Sequence, residues 1–152
     1  MTTALLSRGY TETAQYLDQT NQYMGQHFRE SVALGKRPAF NELAEVWEEC
    51  SRPNWDGYDA LPVQIKTMRN AKLFIEALPL GSPLPSVGAE PDGHLTLEWY
   101  RHPRWILSVS ASPEGVLYYA ALFGSSDVRG SEPFFGEVPR SILDLIQRVQ
   151  MA

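Results

Sequence analysis

From Thr11 to Leu34, apolar residues recur at Leu17, Met24, Phe28 and Val32, with Tyr16 and Tyr23 on an adjoining stripe. Steps of seven, four and four return to one side of a helix, so the pattern predicts a helix here. Gly35 is the expected C-terminal cap and Pro38 the stop signal beyond it. A second helix is expected from Pro38 to Cys50, burying Phe40, Leu43, Val46, Trp47 and Cys50. Glu42, Glu45, Glu48 and Glu49 then give it an acidic outer face. A third helix is expected from Leu61 to Leu78, with Pro62 in its first turn. Its inward stripe is Ile65, Met68, Ala71, Phe74, Ile75 and Leu78.

The period then changes to two. Leu95, Leu97 and Trp99 alternate with Thr96 and Glu98. After a turn at Arg101-His102-Pro103, Trp105, Leu107 and Val109 alternate with Ser108 and Ser110. The turn Ser112-Pro113-Glu114-Gly115 leads into a strand from Val116 to Phe123. Shorter strands are expected over Ser86–Ala89, closed by Pro91-Asp92-Gly93, and near Val128–Phe134. A last helix runs from Pro139 to Val149. Helices, closely linked strands, then a helix specify an α+β fold: N-terminal helices, an antiparallel β-meander of four to five strands and a C-terminal helix. The polar link at Lys36-Arg37-Pro38 divides the chain into a helical arm (1–37) and an α+β core (38–152).

A chain of 152 residues with 43% hydrophobic and 20% charged content is that of an ordinary globular protein. Its net charge of −5 and scattered basic residues argue against nucleic-acid binding, which needs a basic stripe. Cys50 is the only cysteine, so neither an internal disulfide nor a multi-cysteine zinc site is available. No secretory pattern opens the chain and no apolar run approaches the length of a membrane span. A cytoplasmic location, without membrane contact, is the expectation.

Candidate chemistry centres on Asn54-Trp55-Asp56-Gly57-Tyr58-Asp59-Ala60, where two aromatics, two carboxylates and a glycine crowd together. As a site, Asp56 and Asp59 would act as a base or as metal ligands. As structure, Trp55 and Tyr58 pin the loop to the core and an Asp caps the helix at Leu61. The structural role is expected, and neither a metal nor a cofactor is. His27, His94 and His102 lack zinc spacing, and no nucleophile elbow or phosphate loop occurs. Glu90 and Glu98 flank the first hairpin. The sheet has aromatics at both parities: Tyr100, Tyr119 and Phe123 beside Trp99, Trp105 and Tyr118. Either helices cover both faces, which is the expectation with four helices available, or one aromatic face meets a partner.

From Cys50 to the last helix the chain resembles a family of uncharacterised bacterial proteins. The residues that carry the resemblance are Asn54-Trp55-Asp56-Gly57-Tyr58, Ala77-Leu78-Pro79, Val87 to Gly93, Leu97-Glu98-Trp99 and Glu132-Pro133-Phe134. They span about 100 residues and omit the first 40. The resemblance implies no catalytic residues; it implies an accessory role of the toxin–antitoxin or phage-conflict kind. The chain departs from the family at Asp59, where relatives commonly carry glycine, a difference that Asp tolerates if φ is positive.

The function expected is a non-enzymatic protein-binding module, antitoxin-, immunity- or inhibitor-like, with oligomeric state left open. Its partner is another protein, such as the product of a neighbouring gene. Tyr16, Tyr23, Phe28 and the acidic second helix, or the aromatic sheet face, would supply the contacts. The alternative is a small-ligand binder or enzyme whose site gathers Trp55, Asp56, Tyr58 and Glu98, with Tyr100 and His102 as further candidate binding residues.

Overall fold

The computed structural model describes residues 35–151. Helix α1 covers residues 35–50 and α2 covers Ile65–Ala77. Five strands follow: β1 (Ser86–Ala89), β2 (Leu95–His102), β3 (Trp105–Ala111), β4 (Val116–Phe123) and β5 (Ser126–Pro133). Helix α3 (Arg140–Gln150) ends the described chain. Every neighbouring pair of strands is antiparallel, in the order β1-β2-β3-β4-β5. This is the α+β meander that the change of period predicts. The helix expected over Thr11–Leu34, with Tyr16, Tyr23, Phe28 and His27, lies outside the described residues, as does all of the arm before residue 35.

One face of the sheet carries the core. Leu95, Leu97 and Trp99 of β2, Leu107 and Val109 of β3, and Leu117 and Ala121 of β4 are buried there. Against them pack Ala39, Leu43 and Cys50 of α1, Ala71, Phe74 and Ile75 of α2, and Ile142, Ile146 and Val149 of α3. Phe74, fully buried, sits at the centre, its ring 6.1 Å from Trp99 and 6.0 Å from Phe134. Burying a side chain of that size is worth about 1.5–3 kcal/mol. At the far end Trp105 meets Phe123 edge-on at 5.3 Å, and the Arg148 guanidinium of α3 lies 4.1 Å over Phe123. Gly130 on β5 faces Tyr119 on β4, whose ring fills the place where a Cβ would stand. Any larger residue at 130 would push that ring away.

Three boundaries differ from expectation, each for a local reason. Gly35 is helical and not a cap, because Lys36 is held to the core. Its Nζ donates to the carbonyls of Glu76 and Leu78, both at 2.6 Å. The ammonium therefore caps the C-terminal end of α2, where the helix leaves carbonyls free and favours positive charge. The segment expected to be a polar link is thus anchored. Next, α2 starts at Ile65 and not at Leu61. Pro62 disfavours helical backbone at Leu61. Hydrogen bonds from Leu61 N–H to Pro91 and from Val63 N–H to Cys50 hold the segment extended. Finally, β2 runs through His102, so the hairpin turn is Pro103-Arg104, with Arg104 at φ 73°.

Glu42 also departs from the acidic outer face assigned to α1. Its Oε1 accepts the Val87 N–H at 2.6 Å, satisfying a backbone donor of edge strand β1. Thr67, in the first turn of α2, is wholly buried, and its Oγ1 has no hydrogen-bond partner among the described residues. Among those residues no helix is long and apolar enough to cross a membrane.

Candidate interaction surface

The loop between α1 and α2 folds upon itself. Asn54 N–H donates to Ala60 O, and Gly57 N–H to Asn54 O. Side chains supply the remaining acceptors. Asp56 Oδ1 takes the N–H groups of Tyr58 (2.8 Å) and Ala60 (3.0 Å), while Asn54 Oδ1 takes that of Asp59 (2.7 Å). Short polar side chains that bond to nearby backbone favour such turns over helix. Asn54 and Asp59 both lie in the left-handed region, at φ 57° and 64°. Asp59 thus stands where glycine would be freest, and its residue type is one that tolerates the position.

Two expectations for this loop need correction. Asp56 caps the loop's own backbone, not a helix at Leu61, because no helix begins there. Tyr58 is 88% exposed and anchors nothing in the core. Trp55 alone acts as the anchor. It packs against the core and donates its indole N–H to Leu61 O at 2.8 Å. The loop is docked to the β1–β2 turn through Leu61 and Pro91. Gly93 makes that close approach feasible: at φ 90°, a Cβ there would stand 3.1 Å from Pro62 O.

Of the candidate residues, Trp55 and Glu98 line separate depressions among those described. Trp55 lines one of about 730 Å³ with Glu45, Glu48, Glu49 and Arg52, where α1 meets the loop. Glu98 lines another, of about 330 Å³, on the outer face of the sheet. Glu98 and Trp55 line no common depression among those described. Cys50 sits at the buried end of α1, where desolvation, followed by nearby Glu49, pushes its thiol pKa up and keeps it protonated.

The outer face is the more developed surface. The three described helices pack on the inner face, so the expected helical cover of both faces is absent among the described residues. Strand parity also redistributes the aromatics. Tyr119 and Phe123 turn inward with Trp99 and Trp105, whereas Tyr100 and Tyr118 point outward. The register lays the outward residues in three rows across β2 to β5. Tyr100, Ile106, Leu122 and Asp127 form the first; Glu98, Ser108, Ala120 and Arg129 the second; Thr96, Ser110, Tyr118 and Ser131 the third. Tyr100 is 57% exposed, Tyr118 46% and Leu122 42%. The small Ser108 and Ala120 floor the depression, between Glu98 at one end and Arg129 at the other. Arg129 is braced by Asp127, with Nε to Oδ2 at 3.4 Å. His102 follows Tyr100 at the exposed end of β2, its ring 6.1 Å from Trp105.

At the opposite end of β2 the face is bounded by a polar corner. The side chains of Glu90, Asp92 and His94 bring their donor atoms within 4.8 Å of one another, a set of the types that bind cations. Each is already engaged. Ser110 Oγ donates to Glu90 at 2.7 Å, Asp92 Oδ1 accepts the His94 N–H at 3.0 Å, and Asp92 Oδ2 lies 3.6 Å from His94 Nδ1. The His94 ring stacks on Tyr118 at 5.8 Å. Sequence reading gave His94 and Tyr118 no shared role, since only the pairing of β2, β3 and β4 brings them together. Comparison of the chain with protein-family models, with curated proteins and with solved structures found no match.

Proposed function

We propose that the protein is a non-enzymatic binding module that acts by protein–protein contact through the outer face of its sheet. One observation carries this reading: Tyr100, Ile106, Leu122 and Tyr118 gather on a single open face of the described fold. Exposed aromatic and aliphatic side chains over a rigid sheet, with charge at the rim, are the makeup of a contact surface. The resemblance built on the Trp-Asp-Gly-Tyr segment implies an accessory role of the toxin–antitoxin or phage-conflict kind, which is in keeping with an antitoxin-, immunity- or inhibitor-like module of the cytoplasm. Its net charge of −5 favours a protein over a nucleic acid as partner. The ligand-site alternative has less support, because Oδ1 of Asp56 is taken by two N–H groups of its own loop and Trp55 and Glu98 line separate depressions.

The test is expression of the tagged protein from its own locus, followed by cross-linking and purification. A stoichiometric partner protein is expected to be retained by the wild type. It should be lost from Leu122→Asp, a surface change that leaves the melting temperature within about 2 °C. A wild type that is always free of partners, or a partner held equally by the variant, would overturn the reading.

A further inference from the structure

The outer face carries more than apolar area, because its rows are self-complementary. Consider a second copy laid face to face, related by a two-fold axis that runs along the strands between β3 and β4. That operation sets β2 against β5 of the other copy and β3 against β4. In the central row, Glu98 then meets Arg129 of the second copy and Ser108 meets its Ala120. In the first row, Tyr100 meets Asp127 of the second copy, a phenol against a carboxylate, and Ile106 meets its Leu122. In the third, Thr96 meets Ser131 of the second copy and Ser110 meets its Tyr118. Every facing pair is chemically matched. The axis perpendicular to the strands would instead set Glu98 against Glu98 and Arg129 against Arg129. Charge selects between the two arrangements.

We propose that the outer face of the sheet is a homodimer interface in which Glu98 of each copy pairs with Arg129 of the other. The proposal rests on the reading of that face as a contact surface and names the occupant. An isologous contact needs a patch complementary to itself, and these rows have that property. Aligned sheets pack about 10 Å apart, rotated by roughly 30°. The small Ser108 and Ala120 at the centre leave room for the flanking Ile106 and Leu122 of the facing copy as the sheets rotate. Within one chain, Glu98 and Arg129 are separated by two intervening strands, about 14 Å at the usual strand spacing, so any coupling between them reports a contact between copies. The four facing strands, of seven or eight residues each, present about 500 Å² per copy. That is below the roughly 800 Å² of a standard stable interface and fits micromolar self-association.

Sedimentation velocity of the full chain from about 1 to 500 μM tests this. The wild type is expected to dimerise with a micromolar Kd. Glu98→Arg and Arg129→Glu, each of which sets like charges face to face twice, should each weaken the dimer by at least about tenfold. The double exchange E98R/R129E should restore affinity to within about threefold of the wild type. Circular dichroism melts of all four proteins control for folding. A wild type that stays monomeric throughout, or a dimer indifferent to both reversals, or one not rescued by the double exchange, overturns the proposal. None of these results touches the binding reading, which stands or falls on the cross-linking experiment. Conversely, a rescued dimer without a foreign partner upholds the interface and removes the wider reading.

Discussion

Replacing Lys36 by methionine removes the ammonium from the end of α2 while keeping most of the buried stem. Lys36 is 5% exposed, and its two hydrogen bonds close carbonyls that the helix cannot satisfy itself. The bond to Leu78 O is buried, so that carbonyl loses its partner without gaining water, at a cost of about 1–3 kcal/mol. Glu76 O is partly buried and recovers some hydration, adding about 0.5–1 kcal/mol. The expected loss is roughly 1.5–4 kcal/mol, or a fall in melting temperature of about 5–15 °C for a unit of this size. Urea unfolding with an unchanged m-value measures it directly. The pH dependence provides a second readout. Desolvation is the larger influence on this amine and lowers its pKa below 10.5, while Glu76 acts in the opposite sense. Between the folded pKa and 10.5 the unfolded chain therefore binds more protons than the folded one. Stability contributed by this group must rise with pH through that window. The gap between wild type and Lys36→Met should accordingly widen as pH climbs towards 10.5. A loss under about 0.5 kcal/mol would refute the capping role. A gap that narrows with pH would show that pairing, not desolvation, governs the amine.

Two other substitutions probe particular atoms. Thr67→Val replaces an unpartnered buried hydroxyl with a methyl of similar size, and should raise stability by about 1 kcal/mol in urea unfolding; a loss of that size would mean the hydroxyl is satisfied. Asp56→Ala removes the acceptor of two loop N–H groups and should cost about 1–2 kcal/mol, with faster amide exchange at Tyr58 and Ala60, whereas Asp56→Asn should retain most of the loop's stability because an amide oxygen can still accept. Equal losses in the two variants would show that charge, not the oxygen's position, holds the loop.

The sheet was legible because its signal is local. Alternation at Leu95-Leu97-Trp99 and at Trp105-Leu107-Val109 marks the buried side of each strand from its own residues alone. The glycines of the turns mark where each strand stops. Parity stays open on β4 from composition alone, because Tyr118 and Tyr119 are adjacent and both aromatic; the buried Leu117 and Ala121 settle it. What escaped was set by distant parts of the chain. The amine of Lys36 finds α2 forty residues on, and Glu42 finds β1. The start of α2 was masked by Pro62, which suits a first helical turn but here sits in backbone held extended by Cys50 and Pro91. The row from Glu98 to Arg129 exists only once three strand registers are known. Its residues carry no motif.

Strand order that follows chain order has a kinetic meaning. Each hairpin closes over a loop of a few residues, so the loop-closure entropy at every step is small and the sheet can grow by adding one strand at a time to its free edge. Growth on the ribosome would run in the same direction, from β1 with α2 already made. Among the described elements α3 emerges after the sheet, and it brings Ile142, Ile146 and Val149 to the buried face. Until those arrive, the nascent chain is a finished sheet with part of its oily side bare. The interval between completion of β5 and docking of α3 is therefore one in which the sheet is open to aggregation.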